Sequence, residues 1–167
     1  IALYRGRNEE AIGAFERSLG VKRTLGDRAG MRSCLLNLGL ALAKVGRLDE
    51  AERVLGESLR LAASLGQAAG RGWSLAALAD VAVRRRDPAA SSAWIAEARL
   101  HEAALPAAVR ADLAILRAQV ALLEDDGARA LAALGELSAE QRAGDPLIDA
   151  RALSIEAGAH LSILPVD

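Results

Sequence analysis

Two histidines, one cysteine and a short acidic run are the residues with which this 167-residue chain could do chemistry. His101 and His160 fall in different parts of the chain, and Cys34 lies far from both. A metal site needs ligands that converge, usually in closely spaced pairs, and no such spacing is present. Glu124, Asp125 and Asp126 could serve acid–base catalysis, but at a predicted turn they read as a helix cap. The cluster Gly66-Gln67-Ala68-Ala69-Gly70-Arg71-Gly72 lacks the Lys-Ser/Thr of a phosphate loop and follows a helix, not a strand. Neither catalysis nor a cofactor is expected.

Charge and cysteine usage narrow the field further. Twenty-one basic side chains face 22 acidic ones, for a net charge of −1, so no basic excess points to nucleic acid. The run Arg84-Arg85-Arg86 sits at a predicted helix end, where cations oppose the helix dipole. Cys34 cannot form an intrachain disulfide, which fits a reducing, cytoplasmic compartment. Its neighbours Leu35, Leu36 and Leu38 suggest a buried, inert thiol. No uncharged apolar run reaches membrane-spanning length, and no leader opens the chain. Beginning at Ile1 inside a helical pattern, the sequence reads as a piece of a longer protein.

The elements that would position these residues are helices. Hydrophobic residues make up 52%, mostly Ala and Leu, while aromatics make up only 2%. That balance suits closely packed helices and suits strands poorly. A repeat organises them. Ala11 recurs as Ala51, Ser91 and Ala130, at spacings of 40, 40 and 39. One helical turn after each comes a large apolar group: Phe15, Leu55, Ile95, Leu134. A second register runs through Leu38-Gly39, Leu78-Ala79, Arg117-Ala118 and Glu156-Ala157. Small residues let paired helices approach, and the large residue fills the space beside them. Gly6 and Gly46 mark turns, with Arg86 and Asp125 standing at the later equivalents.

Helices are expected near 8–25, 28–45, 48–65, 69–85, 88–102, 106–123, 127–137 and 146–162. Asn8, Asp49, Asp87 and Asp126 are candidate N-caps. Pro88 and Pro146 suit first helical positions. Residues 1–5 would be the tail of a partner helix. The whole of 1–167 forms a single domain, with repeats about 1–25 (partial), 28–65, 69–102, 106–137 and 146–162 (first helix only).

This pattern resembles the tetratricopeptide repeat. Leu35, Leu38-Gly39, Leu42, Gly46, Ala51, Leu55 and Ser58 follow that family's large/small order. The resemblance implies an all-α, right-handed solenoid of antiparallel helix pairs that binds proteins and is not an enzyme. The length of the repeat, and Leu25-Gly26-Asp27 at a link, are similar to helical arrays of large bacterial signal-transducing ATPases and transcriptional regulators.

In that family the first helix of each pair lines the concave side. By register this implies a binding face of Ser33, Asn37, Lys44, Trp73, Asp80, Arg84, Asp112, Gln119 and Arg151, with Leu40, Leu122 and Ser154 beside them. Both charge signs and one aromatic would suit a peptide, a protein segment or a small polar effector. The plainer reading is a solvated face. Trp73 could anchor a ligand or fill a gap between long helices, and the second is preferred. Trp94, beside Ile95, reads as core or convex edge. Some members grip a terminal carboxylate with Lys, Arg and two Asn; only Asn37 falls at a matching place. Asp80 and Asp112 speak against RNA. A structural spacer with no groove ligand is the alternative, and broken repeats at the ends suggest self-association through exposed end helices.

Overall fold

The computed structural model describes residues 2–163, and among these there is no strand. The helices are α1 (Ala2–Thr24), α2 (Arg28–Val45), α3 (Leu48–Ser64), α4 (Ala68–Arg84) and α5 (Pro88–Arg99). They continue with α6 (Ala107–Leu123), α7 (Gly127–Leu134), α8 (Ala139–Gly144) and α9 (Pro146–Ile163). Each packs on its neighbour in sequence up to α7, which packs on α9. In addition α2 touches α4, α4 touches α6, and α6 touches α9, so these four form a continuous row. The chain is an all-α solenoid of helix pairs.

The links explain the pairing. Gly26, Gly46 and Gly66 take φ of 68°, 85° and 65°. At the later links Arg86 and Asp125 take the same left-handed conformation, at 58° and 56°. At each link the left-handed residue's N–H bonds the carbonyl three residues back, and the next N–H bonds the carbonyl five back, as in Gly46 to Ala43 and Arg47 to Leu42. This Schellman closure ends one helix, and the following residue stands at the start of the next. Asp27, Asp87 and Asp126 there accept from Gly30, Ala90 and Arg129 N–H groups.

Several expectations need correction. Asn8 lies within α1, which runs unbroken through Gly6. Gly6 does not take the left-handed turn that the α2–α3 packing holds at Gly46, so residues 2–5 belong to α1 rather than to a separate helix; Ile1 lies outside the described residues. Asp49 falls in the first turn of α3, with Arg47 at the cap position. Helix α5 stops at Arg99, because a 3-10 turn at Glu102–Ala104 carries the chain to α6. Helix α7 stops at Leu134, and the short α8, closed by a capping box between Ser138 and Gln141, was not expected.

Close approach at small residues holds the pairs. A Cβ placed on Gly39 would lie 2.5 Å from Leu55 Cγ, so Leu55 of α3 is seated on the bare backbone of α2. Gly72 of α4 receives Leu105 in the same way. Buried serines tie the layers: Ser58 donates to the Arg32 carbonyl at 3.0 Å and lies 3.0 Å from the Ser74 hydroxyl, while Ser91 donates to the Ala79 carbonyl. Each thereby meets the hydrogen-bonding need that burial imposes. Cys34 is buried, with Sγ 3.3 Å from the Ser18 hydroxyl. Leu59, Trp73 and Trp94 pack against both the α1–α4 core and the α4–α6 core, joining them.

Three substitutions test this account by urea unfolding. Gly39→Ala should destabilise by about 1–3 kcal/mol through overpacking against Leu55, and Leu55→Val should restore part of the loss. Arg86→Gly should stabilise by about 0.5–1 kcal/mol, because glycine accepts a positive φ without the Cβ clash.

Candidate functional site

A groove of about 450 Å³ runs over the row of α2, α4, α6 and α9. Its residues come from one stripe of each helix: Leu40 and Lys44; Trp73, Ala76, Ala77, Asp80 and Arg84; Asp112, Leu116 and Gln119; Leu147 and Arg151. Spacings of three and four keep such residues on one helical face. The repeat sets their levels. Trp73, Asp112 and Arg151 recur at a constant spacing of 39, so they lie abreast near the starts of their helices. Leu40, Asp80 and Gln119 form a second level at spacings of 40 and 39, and Lys44 and Arg84 a third.

Seven of the nine residues expected on the binding face line this groove: Lys44, Trp73, Asp80, Arg84, Asp112, Gln119 and Arg151. Ser33 and Asn37 do not. Ser33 bonds the Ala29 carbonyl at 3.2 Å and receives the Arg32 guanidinium at 2.8 Å, within its own helix. Asn37 is exposed on α2, outside the lining. Leu122 and Ser154 are also outside it. The stripe missed Ala76, Ala77, Leu116 and Leu147. Leu147 stands one turn before Arg151 on the same face, so helical spacing alone was signal enough.

Electrostatics organise the groove from within. Arg84 holds Asp80 at 2.7 Å along α4. Arg151 holds Asp112 at 2.9 Å across the α6–α9 boundary, one repeat away in sequence. Lys44 makes no ion pair among the described residues and is exposed at the rim. Burial pushes the Asp112 carboxyl above its ordinary value. Arg151 opposes that rise, while the charges of Asp80 and Asp145 add to it. Gln119 Oε1 is buried in the groove wall with no hydrogen-bond partner. Trp73 is half-buried, packing against the core and also lining the groove, so it fills a gap and lines the cavity together. His101 is half-buried at the end of α5 and His160 exposed on α9, neither in the groove.

A family model described as a tetratricopeptide repeat matches residues 1–64, the span of α1, α2 and α3. No curated protein and no solved structure matches the chain.

The raised Asp112 pKa carries a sign that stability measurements can read. Between its unfolded and folded values the folded chain binds the extra proton, so this group adds stability as pH falls through that window. Asp112→Asn lacks the effect. The wild type should therefore gain stability relative to Asp112→Asn as pH falls from neutrality into the carboxylate range. A difference that is flat or shrinking with falling pH would contradict the burial of this carboxylate.

Proposed function

We propose a binding role from the premise that this chain is a tetratricopeptide-repeat protein, matched over residues 1–64 and built of similar helix pairs beyond them. Such repeats mediate protein–protein binding, and the groove over α2, α4, α6 and α9 is where this chain takes a peptide or protein segment. The carrying observation is that one cavity gathers an aromatic edge, two half-buried acids, three cations and an unpaired amide oxygen from helices that only the repeat brings abreast. Mixed polar groups around an apolar floor of Ala76, Ala77 and Leu116 suit a chain segment better than bulk solvent alone.

The wider setting we infer is a cytoplasmic sensor segment of a larger bacterial signalling or transcription-regulating protein. The long repeat, with its spacings of 39 and 40, supports it. Among the described residues no helix is long and apolar enough to cross a membrane. A second reading, self-association, is favoured by the apolar face exposed along α9, where Leu147 is 67% and Leu161 72% accessible. Sedimentation across a concentration series should then show a dimer that Leu161→Glu disperses, whereas a monomer throughout would dismiss it.

The groove itself is testable without mutation. Dodecapeptides selected from a random displayed library should shift the backbone amide resonances of Trp73, Asp80, Asp112 and Gln119 and leave Arg53 and Arg60 on α3 unmoved. Shifts confined to α3 and α5, or a library that yields no binder, would sink the reading.

A further inference from the structure

The unmet demands of the groove are unequal, and they say what its ligand carries. Lys44 stands unpaired at the rim, but an exposed ammonium keeps its water and asks for no partner. Gln119 Oε1 has lost its water and gained no donor, so it bears the full desolvation cost until one arrives. Around it the groove is rich in acceptors. Asp80 accepts Arg84 through Oδ2 only, and Asp112 accepts Arg151 through Oδ1 only, leaving the other oxygen of each free among the described residues. The two carboxylates feel each other, since the charge of Asp80 acts to raise the Asp112 pKa. A positive charge placed between them would relieve that repulsion. Trp73 lies abreast of Asp112 and lines the same cavity, so an aromatic face or edge is at hand for a cation and its aliphatic stem.

We propose that the groove recognises a lysine or arginine side chain of a partner protein, its charged head lying between Asp80 and Asp112 and donating to Gln119 Oε1, its stem against Trp73. This rests on the reading of the groove as a peptide site. It commits to a basic segment even though the groove carries three cations. Two of those are already paired with the carboxylates, each through one oxygen only, so the second oxygen of each acid is left for a further donor.

The selected dodecapeptides supply the test. The expected binders share a Lys or Arg, and replacing it with Gln weakens binding at least tenfold. The same peptides should weaken at least tenfold on Asp80→Asn/Asp112→Asn, with circular dichroism confirming an intact fold. Gln119→Met, which removes the acceptor, should weaken them, and Gln119→Glu, which keeps an acceptor and adds charge, should preserve or tighten binding. That last contrast separates recognition from a packing role and stands even if the double variant fails to fold. Binders that are neutral or acidic, or cationic ones indifferent to the position 119 changes, overturn the basic-segment inference. If their amide shifts still map to α4 and α6, the groove reading survives. Binders that map elsewhere, or none at all, overturn both.

Discussion

Each regular reversal of this chain passes through one residue at positive φ, and the architecture hangs on that constraint. With its two backbone bonds, the left-handed residue ends a helix and presents the next residue as the start of another, so helix follows helix with almost no loop between. The first four turns fall at positions 26, 46, 66 and 86, an even spacing that fixes equal helix lengths and a constant length for each pair. Equal lengths place the small residues of one helix opposite the large ones of the next. Leu55 can then sit on Gly39 without either helix bending aside. The cadence comes first and the packing follows from it.

The same cadence makes the groove. A residue on α2, its counterpart on α4 and another on α6 lie abreast because the intervening chain is nearly constant in length. Asp112 and Arg151 meet as an ion pair though a full repeat separates them in sequence. Half-buried charges held in this way are poor sources of stability, since desolvation offsets much of their attraction. Their effect is geometric: each arginine orients a carboxylate, and the groove keeps a defined pattern of acceptors.

Much of this was legible in the sequence, for physical reasons that also mark where legibility ends. Small–large recurrence is imposed by close packing, so Gly39, Ala51 and Leu55 announced the pairs. The glycine turns showed even through Arg86 and Asp125, because a residue's place in the cadence outweighs its own distaste for positive φ. Capping was less legible. Acidic residues favour both the cap and the first helical turn, and Asp49 occupies the second while Asp87 occupies the first. Asn8 fits a cap in type, yet α1 runs through it. Helix α8 is too short, and has too little apolar period, to be seen. The groove residues followed from register, but Ser33 satisfies itself on its own helix, a local bond that spacing does not reveal. Leu147 was missed although it stands one turn before Arg151, because an exposed leucine resembles any other surface leucine.

The cadence breaks between α5 and α6, where a 3-10 turn replaces the left-handed link and Leu105 drops onto Gly72, and again on either side of α8, where no described residue takes positive φ. At the first break the two stacks meet through a core shared by α4, α5 and α6, with Leu105 lodged against the bare backbone of Gly72, instead of at another copy of the standard turn. Trp73 belongs to the stack before it and Asp112 to the stack after, so the groove spans this junction and its walls are set by how the two stacks pack there.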